Sequence, residues 1–524
     1  MVRRILTLLL LLAAIPALQA QGRDWAPEDR LVLGDFSRIA AVAVSLDRVY
    51  AVTPSALLVY NPRERRWDGV YSPGEGLQPF REAVACLADP LDNAAWILTR
   101  SSFFHFDPAI RRWDSGSLPG LLSDVALDAD NPALGIYLRV GSGWYNATRG
   151  GVLVPSGPPR RPQRPATVDQ AIRENPAIQA SSGLLSVTGR RAGLGYTSAA
   201  RAQGFAGTGW YLGTNGAGLV YFSEGSGRPE PLPFGLPSDR VDAVTAGPDG
   251  AWAVTERTPL ADAALTFVAR DLREVRTYQG PRATGLPFTE ARRLLSRGDA
   301  LWIATGTGVV RYRPRDDEAG RFAAGRELPD GRTYDLAQRQ GRLVVATARG
   351  LAQFTDSAGF TQLAPEFRDQ ALAVALAGDT TWVGTPIGLF YALPGQADLL
   401  EPADLREQPR ARVPVVDLAW RGDTLVALTE QELLWRDPAS GRFTLGPRLG
   451  GGLGRLHTVV SDAQGLFVAG DAGVGPAQLR VPVTRPLRVG MDLPGPVTDV
   501  AVDEDYLWVA TLAGLVRFRL EAVR

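Results

Sequence analysis

Short apolar and polar stretches alternate along the chain, and one phrase recurs among them. An aromatic or large apolar residue is followed by two apolar or small residues and then by threonine. The phrase reads Tyr50-Ala-Val-Thr53, Trp96-Ile-Leu-Thr99, Tyr211-Leu-Gly-Thr214, Trp252-Ala-Val-Thr255, Trp302-Ile-Ala-Thr305, Val344-Val-Ala-Thr347, Trp382-Val-Gly-Thr385, Val426-Ala-Leu-Thr429 and Trp508-Val-Ala-Thr511. Two weaker copies start at Tyr137 and Phe467, with Val140 and Gly470 in place of threonine. The eleven anchors lie 46, 41, 74, 41, 50, 42, 38, 44, 41 and 41 residues apart. Apart from one gap, that is the spacing of a four-stranded propeller blade.

The surroundings of each anchor fit four short strands. An alternating segment such as Val497-Thr-Asp-Val-Ala-Val502 precedes it, and a strand ending in Tyr60, Phe106, Phe222, Tyr312, Phe354 or Phe518 follows. A fourth segment comes next, such as Arg66-Trp67-Asp-Gly-Val-Tyr71. Six residues after the anchor stands Gly143, Gly308, Gly350, Gly388, Gly473 or Gly514, where a tight hairpin calls for positive φ. Four strands cannot bury their faces alone but can when stacked radially. The expectation is an all-β protein, a β-propeller of about eleven four-stranded blades. Eleven exceeds the usual four to eight of one ring, so two rings are expected. The last copy lacks its fourth strand, and Arg30-Leu-Val-Leu-Gly34 resembles one. The N-terminal strand is therefore expected to close the last blade and cover its edge.

The gap between Tyr137 and Tyr211 carries a proline-rich run and then Thr167-Val-Asp-Gln-Ala-Ile-Arg-Glu174, which reads as a short helix capped by Thr167 and stopped before Pro176. At the N-terminus, Arg3 and Arg4 precede an apolar run to Ile15 and a small residue, Ala20, the pattern of a secretory signal peptide. The expected organisation is a signal peptide at 1–20, blades 1–3 at 21–155, an insert with a short helix at 156–195, and blades 4–11 at 196–524. The C-terminal blades could share a ring with blades 1–3, and two sequential rings are the alternative. A periplasmic or secreted protein, with no integral membrane segment after signal cleavage, is expected.

Composition narrows the function classes. Basic and acidic residues balance at 56 each, and every basic one is arginine. Zero net charge gives no electrostatic case for nucleic acid. The single cysteine, Cys86, cannot form an internal disulfide, so stability must come from buried core.

The phrase Gly235-Leu-Pro-Ser-Asp-Arg-Val241, followed by Asp249-Gly-Ala-Trp252-Ala-Val-Thr255, resembles the two-component regulator propeller repeat. Leu301-Trp-Ile-Ala-Thr305 with Gly308, Thr381-Trp-Val-Gly-Thr385 with Gly388-Leu389, and Leu507-Trp-Val-Ala-Thr511 with Gly514-Leu515 are similar to its second half. The resemblance implies paired propellers that form an extracytoplasmic sensor and bind breakdown products of polysaccharides. Up to Arg524 neither a membrane helix nor a kinase is expected, a departure from that plan, so any sensing is expected to need a separate partner.

Candidate chemistry is sparse. An aspartate recurs in innermost strands, as Asp124, Asp335, Asp417 and Asp499. Such carboxylates could ring a channel and hold a cation, a sugar hydroxyl or an arginine; alternatively, each accepts backbone N–H groups at a strand start. His457 begins an innermost strand and is a further candidate contact, whereas His105 falls at a repeat position. Two isolated histidines make no zinc site, and no nucleophile-elbow motif is present. Neither a catalytic set, a metal site nor a cofactor is expected. Trp residues at the anchors read as packing; Trp25, Trp144 and Trp210 stand outside the repeat. The expectation is a non-catalytic exported propeller that binds a small glycan or a protein partner. The alternatives are an envelope assembly or type IX secretion-associated component, and a glycan hydrolase or lyase using paired carboxylates at a ring centre.

Overall fold

The computed structural model describes residues 25–524 except 75–76, 90–92, 182–194, 226, 258–261, 280–284, 326, 409–410, 450–451 and 484. The signal segment lies outside the described residues. Among the described residues eleven antiparallel sheets follow one another along the chain, nine of four strands, one of five and one of three. Each of the eleven anchors sits on the second strand of its own sheet.

The recurring threonine has a definite task. At all nine positions its Oγ1 donates to a backbone carbonyl across the hairpin that follows, from Thr305 to Gly308 at 2.7 Å, Thr347 to Gly350 at 2.7 Å and Thr511 to Gly514 at 2.7 Å. In the tighter turns the same oxygen accepts an N–H two residues on, as from Thr307 to Thr305. The hydroxyl thus satisfies turn groups that would otherwise be buried unpaired. The glycine after it is required by conformation at Gly308, Gly350, Gly388 and Gly514, whose φ lies between 111° and 140°. Gly473 is needed for a different reason: a Cβ there would lie 2.4 Å from the Leu487 carbonyl oxygen. Gly143 meets neither condition, so the positive-φ reading holds for four of the six glycines.

Seven sheets close into a ring. The innermost strands of blade 5 (Val241–Gly247), blade 6 (Ala291–Arg297), blade 7 (Thr333–Arg339), blade 8 (Ala373–Ala377), blade 9 (Val415–Arg421), blade 10 (Leu456–Ser461) and blade 11 (Val497–Val502) pack in that order, and the last packs on the first. Anchor side chains face the next blade: Trp302 packs against Phe354 of blade 7, and Trp508 shares a cluster with Val244 and Ala251 of blade 5. The N-terminal strand Arg30–Leu33 supplies the outermost strand of blade 11, with Arg30 opposite Phe518 and Leu33 opposite Leu515. Blade 8 keeps three strands, and only a bridge between Tyr391 and Leu400 marks the place of a fourth.

The other four sheets form a second unit in the order blade 4, 1, 2, 3. Blades 1–3 (Ala41–Tyr71, Ala83–Ser117 and Leu122–Ser156) therefore pack with blade 4 (Tyr196–Leu232), and the C-terminal blades close on themselves. Among the described residues only the N-terminal strand crosses to the larger ring, where the apolar face of blade 11 is covered by blade 5. The insert attaches at both ends. Pro162–Gln163 pairs with Leu127 and Asp128 on the inner edge of blade 3. The helix Val168–Glu174, with Thr167 accepting from the Gln170 N–H, and a second helix, Ala177–Ser181, lay Ala171 and Ile178 on Trp210 and Phe222 of blade 4. The two units meet where Phe36 stacks on Phe234 and the Asp35 N–H donates to Asp239.

Candidate functional site

Near the start of six of the seven innermost strands the pairing slips by one residue. Such a bulge re-aims the side chain that follows it. That side chain lies opposite the residue preceding the turn threonine or its equivalent. Around the ring the position is occupied by Ala243, Arg293, Asp335, Ala373, Asp417, Thr458 and Asp499. Aspartates thus alternate with small residues, and arginine takes the remaining place.

The arginine gathers the aspartates. Its Nε lies 3.1 Å from Asp335 Oδ1, one Nη 3.2 Å from Asp417 Oδ1 and the other 3.4 Å from Asp499 Oδ1. Each carboxylate also accepts two backbone N–H groups. Oδ1 takes the residue that follows it, Leu336, Leu418 or Val500, at 2.8 to 2.9 Å. Oδ2 takes Val374, Val459 or Val244 of the next blade at 2.8 to 3.0 Å. All seven blades contribute to this one cluster. The two readings of the aspartates at the level of sequence, backbone acceptors or arginine partners, are both realised in the same side chains.

The charges do not balance: three carboxylates share one guanidinium. Burial raises the pKa of all three acids, against the pull of Arg293. Asp417 is pushed up to about 7, with the Asp335 charge adding to the effect of burial, and Asp499 to about 6. Burial opposes the charge on Arg293, but the three carboxylates outweigh it and hold the guanidinium protonated.

The remaining candidates lie apart. Asp124 is in blade 3 of the smaller unit, where Arg164 of the insert grips both its oxygens at 2.8 to 3.2 Å and depresses its pKa. His457 occupies the bulge position of blade 10, next to Thr458, whose Oγ1 lies 2.9 Å from its Nδ1; burial lowers its pKa and favours the neutral ring. His105 lies opposite the Trp96 anchor, their rings 4.4 Å apart, where other blades have Val59, Arg311, Gln353 and Arg517. Cys86 is buried, and burial raises its thiol pKa. Among the described residues no group of three or more His, Cys, Asp or Glu side chains is arranged to hold a metal ion.

On the opposite face of the ring, a cleft of about 700 Å3 opens between blades 5 and 6. It is bounded by the turns Gly247–Gly250 and Ser296–Leu301, at the far end of the innermost strands from Arg293. Trp252 lines it, with Phe267 at 5.1 Å and Tyr278 at 5.4 Å between ring centroids. Asp249, Glu274, Arg276, Asp299 and Arg315 supply polar groups at its edge. Trp302 is buried to 2% exposure beneath Phe354 and Phe360 of blade 7. Where blade 7 pairs Phe354 with Phe360, blade 6 pairs Tyr312 with Ala319. Trp252 is half-buried, unlike Trp96, Trp302, Trp382 and Trp508 in the same column.

No protein-family model and no curated protein matches the sequence. Solved structures do resemble the fold. One is the extracellular domain of a putative hybrid two-component system, BT4673 from B. thetaiotaomicron, with 12% identity and a TM-score of 0.40 over 93% of this chain and 65% of that one. This chain thus spans less than two thirds of that domain's length. Virginiamycin B lyase from Staphylococcus aureus is similar over 54% of this chain and 95% of its own, with 13% identity and a TM-score of 0.42. The computationally designed Ika8 protein is similar over 54% and 96%, with 10% identity and a TM-score of 0.39.

Two candidate positions were not legible in the sequence. Arg293 stands in the aspartate column, and aligning the threonines of blades 6, 7, 9 and 11 puts it there, but its charge is opposite to that of the residues it aligns with. Trp252 belongs to the packing column by type, and nothing in its repeat position sets it apart from the buried tryptophans. Of the aromatics outside the repeat, Trp25 packs edge-on against Phe518, Trp210 is buried under the insert, and Trp144 is half-buried on blade 3.

Proposed function

We propose that the chain is a non-catalytic β-propeller that works outside the cytoplasm by binding a ligand in the cleft between blades 5 and 6. The half-buried face of Trp252 is the observation that carries this reading. An aromatic surface flanked by Phe267 and Tyr278, with carboxylates and guanidinium groups at its edge, suits a ligand with a flat apolar side and polar margins. A small glycan fragment is the expected occupant, and a side chain of a protein partner would use the same surface. The ring-centre carboxylates favour a binding role over hydrolysis. Asp335, Asp417 and Asp499 are all engaged by Arg293 and backbone amides, which leaves little freedom for the acid and base steps of glycoside cleavage.

Titration of oligosaccharides and peptides into the purified chain, followed by tryptophan fluorescence and calorimetry, tests the proposal. A ligand that binds the native protein and is lost on Trp252→Ala, with no turnover on the same panel, is the expected outcome. Binding unaffected by Trp252→Ala, or hydrolysis abolished by Asp417→Ala, would overturn it.

A further inference from the structure

The central cluster joins every blade of the ring through groups whose charges cannot all be neutralised at once. Blades 7, 9 and 11 supply a carboxylate, blade 6 the guanidinium, and blades 8, 10 and 5 the N–H groups of Val374, Val459 and Val244. We propose that this cluster is a proton-operated clasp for the seven-bladed ring: it retains a proton among its carboxylates, holds the ring firmly in mildly acidic surroundings and loosens it as the surroundings turn alkaline. The proposal is independent of what the cleft binds.

The argument starts from charge. The carboxylate side chains are 3–7% exposed and the guanidinium 23%. With all three acids ionised, the cluster carries two negative charges beyond what Arg293 offsets, with little water to solvate them. Keeping one acid protonated removes half of that excess, and the same carboxyl can still accept N–H groups at its other oxygen. Unfolding returns each acid to water and to an ordinary carboxylate range near 4. The folded chain therefore holds protons that the unfolded chain releases, between about pH 4 and the raised values of Asp499 and Asp417, about 6 and about 7. Stability from the protonated cluster is full below that window and is lost as pH rises through it.

Other ionisable groups near the ring centre set the background. Blade 5 contributes Asp242, blade 6 Arg292 beside Arg293, blade 7 Tyr334 beneath the Arg292 guanidinium, and blade 10 His457. Asp471 and Arg455 influence His457, and Glu256, Glu290 and Arg240 influence Asp242. The innermost strand of blade 8, Ala373–Ala377, has no ionisable side chain. Of these groups, Asp242 is the one whose own proton is held into the same range, at about 7, and it must be separated from the cluster by experiment.

Thermal unfolding of the full chain between pH 5 and 9, together with carbon NMR of labelled aspartate carboxyls, provides the test. The midpoint is expected to fall by about 5 °C from pH 6 to pH 8. Asp417→Asn should remove most of the cluster's share of this fall and raise the midpoint at pH 8 relative to the unaltered chain; Asp242→Asn should leave the cluster's share in place. Should Asp417→Asn fail to fold, Asp499→Asn and the NMR titration of the unaltered chain decide the matter. Two aspartate carboxyls besides that of Asp242 are expected to titrate above pH 5.5. A flat profile, a fall removed by Asp242→Asn alone, or the absence of those two titrations would each overturn the proposal.

Discussion

Asp499 fastens the last blade of the ring to the first: its Oδ2 accepts the N–H of Val244 at 3.0 Å, across 255 residues of chain. Its Oδ1 takes the Val500 N–H and meets Arg293, so a single carboxylate links blades 11, 5 and 6. Thr498 adds a hydroxyl bond to the Val241 carbonyl at the same seam. This fastening is distinct from the pairing of Arg30–Leu33 within blade 11, which completes a sheet rather than joining two.

Asp499→Ala should therefore strand two buried amides. Each unsatisfied group costs about 1–3 kcal/mol, partly offset by relief of the cluster's excess charge. The expected net loss is about 2–4 kcal/mol at pH 5 in urea unfolding, with a smaller loss at pH 8, where the removed carboxylate is an unwelcome charge. Equal losses at the two pH values would contradict the charge accounting.

Deleting residues 25–34 should leave the folded ring with an open edge on blade 11. The strand Gly514–Arg519 would lose its outer partner, and Phe518 would lose the cover of Trp25. Exposed edges of this kind recruit other chains. Sedimentation velocity should show concentration-dependent association, with a lower unfolding midpoint than the intact chain; a monomer of unchanged midpoint would show that the strand is dispensable.

Much of this architecture was legible because the constraints are local and repeated. The threonine at position 305 bonds to Gly308 three residues away, and the same arithmetic applies in blade after blade. The pairing of Arg30–Leu33 with blade 11 was legible by subtraction, since the last copy lacks a fourth strand. The grouping of blades was not. Whether blade 1 meets blade 4 or a C-terminal blade depends on which apolar faces are already covered, and nothing within a blade's own residues records that. The site was half-legible for a related reason. Asp335, Asp417 and Asp499 share a column, but their convergence on Arg293 depends on ring closure, and Asp124 occupies the same column in a unit where Arg164 reaches it instead.

Trp302 and Trp252 occupy equivalent positions with different surroundings, which makes them a matched pair. Trp302→Ala should empty a sealed pocket beneath Phe354 and Phe360 and lower stability by about 3–5 kcal/mol. Trp252→Ala removes a ring already open to the cleft and should cost about 1–2 kcal/mol, since less area leaves the core. Comparable losses for the two tryptophan variants would argue that the cleft is closed in solution.

Asp242 offers a titration separate from the ring-centre cluster. Its Oδ2 accepts the Ala291 N–H at 2.8 Å, joining blade 5 to blade 6. Burial, with the Glu256 and Glu290 charges adding to it, pushes its carboxyl up to about 7, although the Ala291 N–H and Arg240 pull the other way. The sign follows from comparing states. In the unfolded chain this acid ionises near pH 4, so between pH 4 and 7 the folded form keeps a proton that the unfolded form gives up. Its contribution is greatest below that window and declines as pH rises through it. Asp242→Asn retains an oxygen to accept the Ala291 N–H but cannot ionise. It should match the unaltered chain at pH 5 and exceed it in unfolding midpoint at pH 8; a deficit at pH 8 would mean that the ionised carboxylate strengthens the seam between the two blades.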